Sequence, residues 1–87
     1  MAVRDIVRMA NQISDFFQAY PQDVAVKETA THIRSFWDPR MRRQLFEHVA
    51  AGGEGLSAVV LAAARKLAEE SAAKERAAKA GPAPAKA

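Results

Sequence analysis

Large apolar residues recur three and four positions apart from Ile6 to Leu67, and residues that stop a helix cut the pattern at three places. That spacing stacks side chains on one face of a 3.6-residue turn, so it predicts short amphipathic helices. No run alternates apolar and polar residues as a half-buried strand would, and no segment repeats another. The interruptions are Pro21, the pair Asp38-Pro39, and Gly52-Gly53. The expected fold class is therefore all-α: a small helical domain of about four helices, followed by a fraying Ala/Lys-rich C-terminal tail.

Taking Ile6 as origin, Met9, Ala10, Ile13, Phe16, Phe17 and Tyr20 fall within about 120° of arc, with Arg8, Asn11, Gln12 and Asp15 opposite. This predicts a first helix over about residues 4–20, ended by Pro21, whose ring clashes with a continuing helix. Asp23 is a candidate N-cap for a second helix reaching about Ser35 or Phe36, with Val26, Ala30, Ile33 and Trp37 aligned and Phe36 at the edge. Asp38-Pro39 is a helix-start pair, Asp at the N-cap and Pro at the first helical position. The third helix, about 39–51, aligns Met41, Leu45, His48 and Val49 and stops at Gly52-Gly53. Ser57 can cap a fourth, whose Val60, Ala63, Ala64 and Leu67 form a narrow stripe that permits close approach. Beyond Ser71 only alanines are apolar, and Glu70–Lys74 and Glu75–Lys79 stand at the favourable i,i+4 spacing. Helix is expected to persist, fraying, to about Ala80. The expected organisation is a helical domain over 1–72 and a flexible or frayed tail over 73–87.

A folded chain of 87 residues is short; such a chain buries only about 60% of the surface it exposes unfolded, so it is marginal unless stapled or covered by a partner. It has no cysteine, which excludes disulfides, thiolate-held clusters and a cysteine nucleophile. The longest uncharged apolar run falls well short of the ~20 residues of a spanning helix. Charge interrupts the first apolar residues at Arg4, Asp5 and Arg8 before a signal-peptide core could form, so the expected location is the cytoplasm, with no membrane contact. The formal charge is +3, yet residues 1–64 hold seven basic and seven acidic side chains. The excess lies from Arg65 onward, in a segment without aromatics or a dense basic block, which reads as a solubilising tail rather than a nucleic-acid arm.

Little in the chain resembles an active site. His32 and His48 lie sixteen positions apart on different predicted helices, which argues against a metal centre and for two histidines at the edges of apolar faces. The acidic residues are dispersed singly along polar faces. Gly53-Glu54-Gly55-Leu56-Ser57-Ala58 fits G-x-G-x-x-A, but a dinucleotide fingerprint follows a strand, whereas this segment follows a predicted helix. It reads as a helix stop and a turn.

The informative stretch is Ile33 to Arg43. Phe36 and Trp37 stand immediately before a forced turn, and Arg34, Arg40, Arg42 and Arg43 surround them. Aromatics and arginine are the residue types enriched at interface hot spots. Three readings compete: aromatics as core with solvated arginines, Arg43 pairing with Glu47; a patch docking on a protein partner; and a helix-turn-helix placing Arg40 and Arg43 on nucleic acid. Arg42 favours the second, because it falls within the apolar sector between Val49 and Phe46, where a guanidinium without a partner is costly. The neutral body argues against the third. Arg34, Phe36, Trp37, Arg40, Arg42 and Arg43 are thus the candidate partner-binding residues, with no nucleic acid expected.

Met9-Ala10-Asn11-Gln12-Ile13 with Phe16-Phe17, His32-Ile33, Phe36-Trp37-Asp38-Pro39-Arg40-Met41-Arg42, His48 and Gly52-Gly53-Glu54-Gly55-Leu56 together resemble the delta subunit of cytoplasmic NAD-dependent formate dehydrogenases. The resemblance covers roughly residues 6–67. It implies a small accessory subunit of an oxidoreductase complex with no active site of its own. In that family formate is oxidised at a molybdenum or tungsten bis-pterin centre in the large alpha subunit, electrons pass along iron–sulfur clusters, and NAD is reduced at a flavin in another subunit. No cofactor is then expected on this chain. Its implied partners are the large alpha subunit and, through it, the beta and gamma subunits, in a complex it stabilises or helps to assemble. Two alternatives stay open: a maturation factor that leaves the large subunit after cofactor insertion, and a small helix-turn-helix-like nucleic-acid regulator.

Overall fold

The computed structural model describes residues 2–80, with side chains to residue 77. It contains four helices, α1 (Val3–Phe16), α2 (Gln22–Phe36), α3 (Pro39–Ala50) and α4 (Ala58–Ala80), and no strand among the described residues. The all-α reading and its four helices are therefore met. None of these helices is long and apolar enough to cross a membrane.

One core joins all four helices. Ile6 and Ala10 enter it from α1, Ala30 and Ile33 from α2, Leu45 from α3, and Val60, Ala63, Ala64 and Leu67 from α4, with Trp37 and Leu56 added from the connections. The small residues lie where the sequence places them: α2 packs along α4 in the most extensive helix pairing, and the buried alanines 25, 30, 63 and 64 let the two axes approach. Burying a Val, Leu or Ile side chain contributes about 1.5–3 kcal/mol. Few large apolar residues are buried, so the stability of this domain also depends on how its helix ends are closed.

Those ends follow local chemistry. The Asp38 side chain accepts a hydrogen bond from the Met41 N–H at 2.9 Å, and Pro39 occupies the first helical position. At the other end of α3 the N–H of Gly53 reaches the His48 carbonyl at 2.8 Å and that of Gly52 reaches Val49 at 3.1 Å. These are the two crossed bonds of a Schellman closure. Gly52 and Gly53 hold φ values of 125° and 65°, a region that favours glycine. The Ser57 hydroxyl accepts from the Val60 N–H at 3.1 Å, capping α4.

Two boundaries differ from the expectation. α1 ends at Phe16 rather than near residue 20. The N–H groups of Phe17, Gln18 and Tyr20 instead bond three residues back, to Ser14, Asp15 and Phe17. Pro21 supplies no N–H to continue the ladder and disfavours helical angles at Tyr20, so the last turn tightens. Pro21, not Asp23, stands at the N-cap of α2, and no side chain caps that end. Asp23 lies inside the first turn, where its carboxylate faces the positive end of the helix dipole. α4 continues through Ala80, into the segment expected to fray; residues 81–87 of that tail lie outside the described residues.

Candidate docking surface

The glycine loop between α3 and α4 is held by a polar seam. Asn11, at mid-α1, donates from Nδ2 to the Gly55 carbonyl at 2.8 Å and accepts from the Ser57 N–H at 3.0 Å. Ser14, one turn on and 4% exposed, donates to the Asn11 carbonyl at 2.9 Å. Its hydroxyl proton being so used, the 3.0 Å contact between the Ser14 and Ser57 hydroxyls has Ser57 as donor. His48 Nε2 donates to the Glu54 carbonyl at 2.7 Å, which assigns the proton to that nitrogen. A Cβ at Gly53 would lie 2.5 Å from Leu61 Cδ2, so the loop packs directly on α4. Gly52-Gly53-Glu54-Gly55-Leu56 is thus a helix stop and a turn whose backbone groups are taken by α1 and α3 side chains. Asn11 and Ser14 were not singled out by apolar spacing, which placed Asn11 on the polar side.

The arginine and aromatic stretch is divided by the fold. Trp37 is 5% exposed and belongs to the core. Arg42, half-buried on α3, donates through Nη1 to the Trp37 carbonyl and approaches the Arg34 carbonyl at 3.5 Å. Its guanidinium, expected to need a partner, is met by the free carbonyl end of α2, where a cation complements the helix dipole. Arg34 crosses from α2 to α4 and donates to both Glu70 oxygens, at 2.9 and 3.2 Å. Glu70 is therefore paired with Arg34 rather than with Lys74, its i,i+4 neighbour in sequence. Phe36 lies two residues from Arg34 and so on the other flank of α2, 74% exposed. Arg40 and Arg43 are exposed at the start of α3, where they line a shallow depression with Asp38 and Pro39. Neither makes an ion pair among the described residues, Glu47 included.

Phe36 has other company. Its ring lies 4.7 Å from that of His32. His32 in turn lines an apolar notch with Ile13, Phe16 and Phe17 of the α1 end. Phe17 packs edge-on against Phe16 at 5.0 Å and against Tyr20 at 5.7 Å. Phe16 is 75% and Tyr20 52% exposed. The result is a run of aromatic rings from the end of α1 to the outer flank of α2, of which Phe16, Tyr20 and Phe36 are left uncovered by the described residues. The periodicity assigned Phe16 and Tyr20 to a buried stripe; Phe16, at the last position of α1, is left exposed, and the tightened turn after it takes Tyr20 off the helical register.

Among the described residues, no group of three or more His, Asp or Glu side chains gathers in a metal-binding arrangement. The fold defines a small four-helix domain locked by an internal polar seam and edged by exposed aromatics. Over residues 5–64, more than half of the chain, the sequence matches the family described as NADH-dependent formate dehydrogenase delta subunit FdsD, and the chain belongs to that family. The matched region takes in α1 from Asp5 onward, α2, α3, the glycine loop and the first turns of α4. No curated protein and no solved structure matches the chain.

Proposed function

We propose that this chain is a non-catalytic delta subunit that docks on the large, metal-containing subunit of a cytoplasmic NAD-dependent formate dehydrogenase, and through it joins the beta and gamma subunits. Its role is to stabilise the complex or assist its assembly. The observation that supports this reading is the run of rings in which Phe16, Tyr20 and Phe36 are exposed and Phe17 and His32 half-buried, on a member of a formate dehydrogenase subunit family. Aromatic side chains bury about 150–250 Å² each when covered, the largest apolar contribution a single residue makes to an interface. A contact that binds only the folded chain also stabilises it by mass action, which supplies what a short domain lacks. Of the six candidate partner-binding residues, Phe36, Arg40 and Arg43 are exposed, whereas Trp37 is buried and Arg42 and Arg34 also bond within the chain.

Co-expression with an affinity tag on this chain and mass identification of what stays bound tests the reading. Recovery of the large subunit at equal stoichiometry in active enzyme is expected. Recovery with the metal-free large subunit alone would make the chain a maturation factor. Absence of the large subunit would overturn the docking role.

A further inference from the structure

A groove runs between α3 and α4 on the side of the bundle away from Phe36. It holds two adjoining depressions that share Arg42, Phe46 and Ser71 in their walls. The floor is apolar: Phe46 is half-buried against the core, and Leu67 is 4% exposed.

The rim is not electrically balanced. Arg34 and Glu70 neutralise each other at one end. That pairing leaves Lys74 without its i,i+4 carboxylate. Arg42 is engaged by carbonyl groups, which orient its charge without cancelling it. Arg43 makes no ion pair among the described residues. Against Arg42, Arg43 and Lys74 the groove sets one remaining carboxylate, Glu75. An apolar floor beneath a positive rim complements a segment that is apolar at its centre and acidic at its edges. Duplex nucleic acid would match the rim and leave the floor unused.

We propose that this groove receives an acidic segment of the large subunit, a large apolar side chain resting on Phe46 and Leu67 between carboxylates that face Arg43 and Lys74. The inference rests on the docking role above and adds a second, chemically distinct contact to it. Carboxylates there would meet two exposed cations that make no ion pair among the described residues, a complementarity that fixes orientation and speeds encounter.

The test uses the full chain co-expressed with the large subunit, with a photoreactive phenylalanine analogue placed at Ser71 or, separately, at Phe36. Ser71 is exposed in the groove, so the change leaves the core untouched. The expected result is a crosslink from position 71 to a large-subunit peptide of net negative charge. Arg43→Glu should also weaken retention by about tenfold or more, a loss of ~1.4 kcal/mol; Arg65→Glu, an exposed charge outside the groove, should not. A crosslink from position 36 with none from 71, a crosslink from 71 to a neutral or basic peptide, or unchanged retention of Arg43→Glu would overturn the groove and leave the docking role standing. No crosslink from either position, with no co-purification, would overturn both.

Discussion

α1 carries two regions of opposite character within one helix and its closing turn. Around Asn11 and Ser14, polar side chains point inward, and the hydrogen-bonding groups named above find partners in this chain. From Phe16 to Tyr20 the rings pack on one another, and Phe16 and Tyr20 stay exposed. In a freestanding domain the arrangement would be reversed, since a polar group sent inward costs stability unless matched and an aromatic left outside contributes nothing to burial. The polar seam gives the glycine loop a unique geometry. The aromatic edge leaves surface for something else. The contrast separates what this chain needs to fold from what it has available for assembly.

The sharpest way to break the contrast is at Trp37, which sequence alone left between core and interface. Its burial predicts that Trp37→Ala costs about 3–5 kcal/mol, enough to unfold a marginal domain. Urea melts followed by far-ultraviolet circular dichroism measure the loss. A stable variant with lost binding would move Trp37 to the interface side.

Next comes the seam. Asn11→Ala strands the Gly55 carbonyl and the Ser57 N–H and should cost ~1–3 kcal/mol. Its retention by the large subunit, measured where the variant is still folded, should be unchanged. Arg42→Met keeps the aliphatic stem and removes the guanidinium from the end of α2, so about 1–2 kcal/mol of folding stability should be lost. An Arg42 variant as stable as the parent would show that the carbonyl contacts do not hold the α2–α3 corner. The smallest effect on folding belongs to the aromatic edge. Phe16→Ser with Phe36→Ser should change stability by no more than about 0.5 kcal/mol. The same pair should abolish co-purification, and retained co-purification would remove the aromatic edge from the docking role.

Much of the fold was legible in sequence because the signals were local. Asp38-Pro39 starts α3, and Gly52-Gly53 ends it through bonds spanning at most five residues. The Val60, Ala63, Ala64 and Leu67 stripe is buried as its spacing requires. The seam was not legible. Asn11 meets residues 44 and 46 positions away, and periodicity records only where apolar residues fall. Arg42 was half legible: its place in the apolar sector signalled a need for a partner, but a backbone carbonyl leaves no mark in the residue string. Phe16 and Tyr20 were misread because an apolar face says which residues share a side, not whether another helix is there to cover it.

Trp37 is the single indole in the sequence and it sits at the α2–α3 corner, far along the chain from the Asn11 seam. Its fluorescence therefore reports the exposure of that corner, while circular dichroism reports helix throughout the molecule. In urea the two signals become independent clocks. Coincident transitions would mean that the seam and the corner dissolve in one cooperative event. A helical signal that decays while the indole stays blue-shifted would mean that the glycine loop and the α1 end open first, presenting the aromatic edge on a chain still folded around its tryptophan.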